Sequence, residues 1–469
     1  MSRGHDGPTV AERLAEFVAT LRTADLPPHV RDDARWRVTD TLGVAIAGSR
    51  MESTPAVLGV VRALGGVPEA SVIGVAERLP APLAGLANAT LAHTPDYDDT
   101  HSVAMVHISS TAVPSALAAA ERGGASGADF MTAVVIGGEV GVRVGAAVPH
   151  RFSANHFHPT AVCGTFAAAA AGSRLLGNGI RETANAFGIA ASQSTGLLQG
   201  MNDGSWIKRL HPGSAVFSGL LAALLAQRGF TGPREIFEGS AGLYATLLHG
   251  EPYDAERAVE GIGSEWMYPE TVYKPLPNGA WNHSAAEGAR AILAEHALSP
   301  EDVERIDCWI PVEGMAAVCD PRDNRLHPQT PYHMKFSLYY TVAMLAVLGR
   351  LTVDDYNEEV LADRRIADFA QRVYAHGDEA LEPNGFPARV RVRTRAGEMH
   401  ERAVPAQPGS WSNPLTPDQH HRKFLANAAP SLGETEAEAL FDELAGIWSL
   451  ESLEPVVSRL RGSGSPPPS

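Results

Sequence analysis

The sequence predicts a mostly α protein with a smaller α+β domain. Apolar residues recur at helical spacing from about residue 9 to 262, which favours a large helical region. The pattern changes near residue 263, where strand-like alternation is mixed with helical segments. We therefore predict a smaller α+β domain at 263–405, terminal helices up to residue 460, and a disordered Ser/Gly/Pro tail at 461–469.

The helical region is predicted element by element. Leu14, Phe17, Val18 and Leu21 share one helical face within residues 10–21, and Pro28 begins a second helix. The next helices are predicted from Ala/Gly-rich segments, whose small residues permit close helix packing: 81–94, 111–122, 128–147, 159–176, 181–196 and 213–228. Residues 231–235 (Thr-Gly-Pro-Arg-Glu) predict a turn with a proline near a helix start.

The region after residue 263 contains both element types. Helices are predicted at 281–296 and 336–348, a strand at 303–312, and a helix start with a serine cap at 299–302. Arginines alternate strictly with other residues at 388–394, which predicts a strand. Ala396 and Gly397 are predicted to form a turn, and residues 399–404 a returning strand, so the segment is expected to be a β-hairpin. Its alternating arginines indicate a solvated sheet face. The terminal helices are predicted at 418–428 and 434–448.

Bulk composition excludes several function classes. The 38 basic and 54 acidic residues give a net charge of -16, which argues against nucleic acid or an anionic membrane as the main partner. The three cysteines, Cys163, Cys308 and Cys319, are few and odd in number, as expected in a reducing cytoplasm. Residues 1–8 lack an apolar signal core, and the apolar stretches 161–172 and 215–226 are too short to span a bilayer. We therefore expect a cytoplasmic protein.

Six polar clusters stand out from the Ala/Gly/Leu-rich background and together predict one site for an anionic substrate. Each combines groups that transfer protons near neutral pH with groups that bind carboxylates. In chain order, the clusters are Asp96-Tyr97-Asp98-Asp99-Thr100-His101; His107; His156-Phe157-His158-Pro159-Thr160; Lys208-Arg209-Leu210-His211; Lys274-Pro275 with His283; and Lys335-Phe336-Ser337 with Tyr340.

The acidic cluster at 96–100 permits several interpretations. Closely spaced carboxyl groups raise at least one carboxyl pKa, which suits proton transfer. The cluster is equally compatible with an acidic turn or a helix cap. An Asp-x-Asp-x-Thr motif also resembles a phosphatase nucleophile, but that motif follows an apolar strand, and residues 87–93 are predicted to be helical. Magnesium binding would need a second acidic cluster at ligand spacing, which we do not find.

The basic and histidine clusters have ordinary alternatives as well. His107 and His158 each precede a predicted helix, where free N–H groups bind anions, but single histidines are often packing residues. Lys208 and Arg209 precede an apolar helix and suit a substrate carboxylate, although surface charge explains such pairs equally. His101, Lys274, His283 and Tyr340 are compatible with either packing or substrate contact.

Taken together, these clusters resemble the MmgE/PrpD family from about residue 9 to 450. The matching motifs are Asp96 to His101, Phe157-His158-Pro159-Thr160, Lys208-Arg209-Leu210-His211 with Gly213, Gly229-Phe230-Thr231-Gly232-Pro233, Lys274-Pro275-Leu276-Pro277, Lys335-Phe336-Ser337-Leu338, and Asn413-Pro414-Leu415 with Lys423-Phe424. The resemblance implies a large all-helical domain, formed by 9–262 and 406–460, and an α+β lid domain at 263–405. It also implies a homodimer without a metal or an organic cofactor.

The resemblance further implies an enzyme that acts on a small polycarboxylate through a carbanion-like state. Family members include 2-methylcitrate dehydratase, cis-aconitate decarboxylase and iminodisuccinate epimerase. We therefore expect a lyase, with an epimerase of an amino-dicarboxylate or a non-catalytic acid-binding protein as alternatives. The residues expected to act in catalysis are Asp96, His107, His158, Lys208 and His283. Those expected to bind the substrate are Thr100, His101, Arg209, Lys274 and Tyr340.

Overall fold

The chain divides into two compact units in the computed structural model, which describes residues 7–461. The first unit comprises residues 7–94, 103–271 and 419–461, and the second comprises 95–102 and 272–418. The first unit is nearly all helical and the second combines helices with a sheet, so the predicted mostly α fold with a smaller α+β part is confirmed. Apart from residue 461, the tail predicted to be disordered lies outside the described residues.

The first unit begins with helices connected by short loops and one small two-stranded sheet. Its elements up to residue 271 are α1 (Val10–Thr20), α2 (Pro28–Gly48), α3 (Thr54–Leu64), β1 (Ala70–Ser71), β2 (Arg78–Leu79), α4 (Ala81–His93), α5 (Ser109–Gly123), α6 (Gly127–Ala146), α7 (Arg151–Ala154), α8 (Pro159–Leu175), α9 (Ile180–Ala191), α10 (Gly200–Asp203), α11 (Ile207–Gln227) and α12 (Leu243–Leu247), with 3₁₀ turns at Thr23–Asp25, Ala255–Ala258 and Tyr268–Glu270.

Small residues bring the central helices of this unit into close contact. A Cβ atom on Gly219 of α11 would lie 2.4 Å from the carbonyl oxygen of Thr165 and 2.6 Å from Cβ of Ala168, both on α8. The buried face of α8 is almost continuous from Pro159 to Ser173. The Ala/Gly-rich segments therefore form helices that pack backbone against backbone, as the sequence predicts.

The second unit is built around one four-stranded sheet. Its elements are α13 (His283–Glu295), β3 (Val303–Ile310), α14 (Val312–Val318), α15 (Arg322–Leu326), α16 (Pro331–Met334), α17 (Leu338–Leu348), α18 (Glu358–Leu361), α19 (Arg364–Ala370), β4 (Val373–Gly377), β5 (Ala388–Thr394) and β6 (Met399–Val404), with 3₁₀ turns at Ala280–Asn282, Pro300–Asp302 and Val353–Asp355.

The sheet has the strand order β4-β3-β5-β6, with β3 parallel to β4 and antiparallel to β5. The predicted hairpin of β5 and β6 is confirmed, with Val390 opposite Arg402 and Val392 opposite His400. Alternate residues of β5 are buried, whereas Arg389 and Arg391 on the other face lie over the Trp309 ring at 4.2 and 5.2 Å. The arginine face is thus partly solvated and covers one aromatic ring.

The chain then returns to the first unit in α20 (Pro417–Leu432), α21 (Glu434–Ala445), a 3₁₀ turn (Ile447–Ser449) and α22 (Glu454–Leu460). Phe424, Leu440 and Leu444 from these helices belong to the same buried cluster as Leu14 and Val38 near the N-terminus. The two ends of the described chain therefore share one hydrophobic core.

The limits of the compact units differ from the predicted domain limits at 262/263 and 405/406. Residues 95–102 belong to the second unit because Thr100 and Val272 exchange two backbone hydrogen bonds of 2.9 Å. Residues 406–418 also remain with this unit, where the Tyr273 N–H donates to the Gly409 carbonyl at 2.9 Å. Both pairings connect residues far apart in sequence, which local patterns do not reveal.

One local prediction was wrong. Residues 231–235 do not begin a helix. Their segment packs closely against α9, where a Cβ atom added to Gly188 would lie 2.7 Å from the Pro233 backbone. The predicted helix start at Ser299 is confirmed, because the serine caps with Asp302, and the helix that it begins is the short 3₁₀ element Pro300–Asp302 before β3.

Helix α11 extends beyond the apolar stretch 215–226, which was predicted to be too short to span a bilayer. By length and composition, this helix of 21 residues could cross a membrane, and 56% of its most apolar window is buried within the protein. It also carries Lys208, Arg209 and His211 near its start and packs against α8. We therefore interpret α11 as a core helix of the first unit.

Candidate active site

Four histidine side chains and one lysine form a buried cluster in the first unit, here called the histidine cluster: His93, His107, His158, Lys208 and His211. The ring centroids of His93 and His107 are 4.9 Å apart, and those of His93 and His158 are 5.6 Å apart. His158 also lies 5.1 Å from His211 between ring centroids. The cluster therefore places several proton-transfer groups around one small volume.

Local sequence explains how these residues are presented. His158 is the N-cap of α8, where the following Pro159 favours an extended conformation and a helix start. His93 is the last residue of α4, and His107 lies just before α5 with its backbone N–H donating to Thr160 Oγ1 at 3.0 Å. Lys208 and His211 are three residues apart on α11 and thus share one helical face.

Burial and positive charge keep the imidazoles of His158 and His211 neutral near pH 7. The pKa of His158 is lowered well below its usual range, chiefly by burial and then by the Lys208 ammonium. The pKa of His211 falls to about 4, again mainly because of burial, with contributions from His93 and Lys208. A neutral imidazole offers one N–H donor and one acceptor nitrogen, so the cluster can both give and take protons.

The two ring nitrogens of His158 have different surroundings. Its Nδ1 lies 3.0 Å from Nδ1 of His211, within hydrogen-bond distance. Its Nε2 is buried and makes no hydrogen bond within the described part of the chain. A buried nitrogen without a partner is costly in a folded protein, and a bound ligand is one way to offset that cost.

The cluster also has the composition of a metal site. Ligand atoms of His93, His107 and His158 all lie within 4.8 Å of one another, a grouping that zinc could use. The Lys208 ammonium lowers the pKa of His158, however, and the same positive potential opposes a second cation. An anion suits this environment better, and the expectation that no metal is needed stays a prediction.

Both family models match the chain. The MmgE/PrpD N-terminal domain matches residues 12–256, and the MmgE/PrpD C-terminal domain matches residues 277–445. The chain belongs to the MmgE/PrpD family. The resemblance seen in the sequence motifs is therefore confirmed over both halves of this family member.

Curated relatives cover nearly the full length of this MmgE/PrpD chain. The cis-aconitate decarboxylase of Aspergillus terreus (strain NIH 2624 / FGSC A1156) is 30% identical over 486 residues, covering 96% of each chain. Human cis-aconitate decarboxylase is 26% identical, covering 98% of this chain and 96% of its own. The cis-aconitate decarboxylase-like protein oryM of Aspergillus oryzae is 25% identical, covering 97% of both.

The structure groups the predicted site residues by unit. His107, His158 and Lys208 lie together in the histidine cluster, whereas the neighbouring Arg209 donates to Glu52 at 2.7 Å and to Ser53 at 3.2 Å. Arg209 thus has an observed ion pair, and its role in substrate binding stays a prediction. His156, noted in the same motif as His158, is exposed.

The remaining predicted residues are buried in the second unit: Asp96, Thr100, His101, Lys274, His283 and Tyr340. The Lys274 ammonium donates to Asp96 Oδ1 at 2.5 Å and to the Asp96 carbonyl at 3.0 Å. Nε2 of His283 lies 3.2 Å from the Asn278 carbonyl, and burial raises the pKa of Tyr340. Their parts in catalysis or binding stay predictions.

The acidic loop, residues 95–102, is hydrogen-bonded to the segment that carries Lys274. The Tyr97 hydroxyl donates to the Pro275 carbonyl at 2.9 Å, and the Lys335 ammonium donates to the Pro95 and Pro277 carbonyls at 2.5 and 3.0 Å. Asp96 has a positive φ of 55°, so the loop holds an unusual backbone conformation. The preceding element is helix α4 rather than a strand, which removes the basis for the phosphatase interpretation.

Sequence reasoning missed His93 and assigned no role to His211, although His211 belongs to one of the six polar clusters. His211 was visible in the Lys-Arg-Leu-His motif, and its spacing of three residues from Lys208 was a usable signal. His93 ends an apolar helix and carries no motif, so nothing local distinguishes it from a packing residue.

Proposed function

We propose that the protein is a lyase that decarboxylates a small unsaturated tricarboxylate, with cis-aconitate as the first candidate, without a cofactor. The observation that carries this proposal is the buried histidine cluster with its lysine in an MmgE/PrpD chain. Its full-length relatives are named cis-aconitate decarboxylases, which supports decarboxylation over the other reactions expected for the family.

Charge supports a polycarboxylate substrate. Lys208 is only 7% exposed and lies near the neutral imidazoles of His158 and His211, so its positive charge attracts an anion into the cluster. The N-terminal end of α8, a helix of 17 residues, adds the positive end of a helix dipole beside His158. Together they would bind one substrate carboxylate and stabilise negative charge that develops next to it.

The reaction requires few chemical groups. The carbon–carbon bond to one carboxylate breaks, carbon dioxide leaves, and the electron pair remains on carbon, where the neighbouring double bond delocalises it. A proton then bonds to carbon, so each turnover consumes one proton and converts a tricarboxylate into a dicarboxylate. We assign carboxylate binding to Lys208 and proton donation to His158, whose buried Nε2 is the donor atom.

A panel of acids tests the proposal. The protein is incubated separately with cis-aconitate, citrate, 2-methylcitrate and iminodisuccinate, and the products are identified by mass spectrometry and NMR. We expect loss of carbon dioxide from cis-aconitate, with one proton consumed per turnover. Loss of water from a hydroxy acid would instead identify a dehydratase, and a change of configuration without a change of mass would identify an epimerase.

Substitutions test whether the histidine cluster carries out the reaction. Lys208→Met and His158→Asn should each lower kcat/KM by roughly 10²–10⁴-fold while the thermal unfolding temperature stays close to wild type. The matched control is His156→Asn, which removes the exposed imidazole of the same motif and keeps a residue suited to its positive φ of 65°. Near-normal turnover by His158→Asn would remove that residue from the mechanism.

If no acid is altered and none exchanges protons with heavy water, the chain is a binding protein and not a lyase.

A further inference from the structure

His158 and His211 present a constraint that follows from geometry alone. Their Nδ1 atoms are 3.0 Å apart, and two nitrogen lone pairs at that distance repel unless a proton lies between them. One ring must therefore carry its proton on Nδ1 and the other must accept it there. The tautomers of the two neutral rings are thus linked and opposite.

We propose that this shared proton makes His211 the positioning residue that sets whether Nε2 of His158 is an acid or a base. When His211 donates from Nδ1, His158 carries its own proton on Nε2 and can protonate a substrate carbon. When His158 donates from Nδ1, its Nε2 is bare and can remove a proton. The assignment of a reaction to this switch rests on the proposed lyase function.

The pair also removes a difficulty in the proton-donation step. A neutral imidazole that gives away its Nε2 proton becomes an unstable anion, and a cationic imidazole is disfavoured beside Lys208. Transfer of the Nδ1 proton from His211 to His158 in the same step keeps His158 neutral. His211 remains neutral as well if its Nε2 takes a proton from solvent. After product release the Nδ1 proton shifts back to His211, Nε2 of His211 returns its proton to solvent, and Nε2 of His158 takes up a proton from solvent, so each turnover consumes one proton.

The surroundings hold the two rings in this arrangement. The backbone N–H of His158 donates to the Gly196 carbonyl at 2.8 Å, and the Leu198 N–H donates to the His156 carbonyl at 3.0 Å. A Cβ atom on Gly196 would lie 3.3 Å from the His211 ring and 2.5 Å from Cβ of Ala161. The segment around Gly196 therefore contacts both histidines, His158 through its backbone and His211 through its ring.

The other groups facing His158 do not provide the same link. His93 comes from α4, His107 precedes α5, and Lys208 lies on α11, and all three contribute to the lowered pKa of His158. The ring centroids of His93 and His107 are 5.6 and 6.1 Å from that of His158, compared with 5.1 Å for His211. His211 is the one of these neighbours with a nitrogen–nitrogen contact to His158 at hydrogen-bond distance within the described residues.

NMR of the full protein with ring-¹⁵N-labelled histidine tests the linkage without any substrate. At pH 7 we expect one ring of the pair in the Nδ1–H form, the other in the Nε2–H form, and a scalar coupling between their Nδ1 atoms across the hydrogen bond. His211→Asn keeps a hydrogen-bonding atom near the Nδ1 position but cannot relay a proton. Two Nε2–H rings without coupling would overturn the inference whether or not the protein is a lyase.

Kinetics in mixtures of light and heavy water test the relay. With cis-aconitate as substrate, we expect wild-type kcat to show at least two protons in flight, the one transferred to carbon and the one between the Nδ1 atoms. We expect His211→Asn to show one, with kcat lower by roughly 10²-fold and KM within about twofold. His156→Asn should behave as wild type. If the wild type is active and His211→Asn has unchanged kinetics, the relay is refuted and the lyase function is not. If the wild type is inactive, the proposed function is refuted, and the NMR experiment alone tests the tautomer linkage.

Discussion

Two buried ammonium groups in the second unit contact the loop that carries Asp96. Lys274 and Lys335 are 0% and 1% exposed, and both donate to carbonyl oxygens of the loop that carries Asp96. Asp96 is itself 2% exposed and faces Lys274 at 2.5 Å. Such a pair balances its charges internally, so the loss of either partner leaves an uncompensated buried ion.

We predict that Lys274→Met destabilises the protein by about 3–5 kcal/mol, because it leaves the Asp96 carboxylate buried without its cation. The double variant Asp96→Asn with Lys274→Met should recover a large part of that loss. The free energy of unfolding, obtained from urea denaturation, measures both effects. The control is Arg62→Met, which breaks the exposed pair with Glu77 and should cost no more than about 1 kcal/mol. Equal losses for Lys274→Met and Arg62→Met would refute the buried-pair interpretation.

At the residue scale, sequence motifs located functional residue types but not the directions of their side chains. Lys208 and Arg209 are adjacent, yet consecutive residues on a helix point about 100° apart, so one joins the histidine cluster and the other pairs with Glu52. Asp96 and Lys274 were predicted for separate roles, which stay predictions, and the ion pair between them was not foreseen. Pairings across a long sequence separation depend on tertiary structure, which no local pattern records.

At the element scale, the packing of α8 against α11 determines where Lys208 and His211 stand relative to His158. Gly219 lies two turns after His211 on the same helix, directly against the α8 backbone. A side chain at this crossing would push the two helices apart, because the nearest atoms are a backbone carbonyl and a helical Cβ.

We predict that Gly219→Ala lowers the free energy of unfolding by about 1–3 kcal/mol through overpacking. Gly59→Ala on α3 is the matched control, because that glycine is exposed and nothing lies within 4 Å of the position that an added methyl group would take. Removing a glycine from an exposed helix should stabilise the protein by about 0.5–1 kcal/mol. Opposite signs for the two substitutions, measured by thermal and chemical denaturation, are the expected outcome, and a neutral Gly219→Ala would contradict the close crossing.

Element types were largely predictable, whereas some starts and connections were not. Ala/Gly-rich segments became α4, α5, α6, α8, α9 and α11, and strict alternation became the β5–β6 hairpin. Pro233 failed as a helix start because its segment packs against α9, a contact made by residues more than forty positions away. Local propensity sets what a segment can form, and packing decides where it ends.

At the scale of the whole molecule, the mostly α fold and the family followed from the order of motifs, but the limits of the compact units did not. Terminal helices contribute Phe424 and Leu440 to the core that begins with Leu14, and their apolar faces alone could not specify that partner. The same helices place His420 against α2, where its ring stacks on Trp36 at 4.5 Å. Burial there lowers the pKa of His420 to about 3, with further contributions from Lys423, Arg37 and Arg35.

That depressed pKa predicts an acid-sensitive core. The unfolded chain binds a proton at His420 near its ordinary pKa of 6.5, whereas the folded protein does not until about 3, so stability falls as pH drops between these values. For this one group, the loss between pH 7 and pH 5 is about 2 kcal/mol. Carboxyl groups with raised pKa values, such as Glu139, act in the opposite direction, so the effect must be isolated by comparison with a variant.

We predict that His420→Phe, which keeps an aromatic ring on Trp36, removes this component of the pH dependence. The difference in unfolding free energy between variant and wild type, measured by urea denaturation at pH 7 and pH 5, should shift by about 2 kcal/mol in favour of the variant at the lower pH. His421→Phe is the matched control, because the neighbouring His421 is partly exposed and paired with Glu438. A difference that is the same at both pH values would show that His420 is protonated equally in the folded and unfolded chains, and the acid sensitivity would then have to come from other groups.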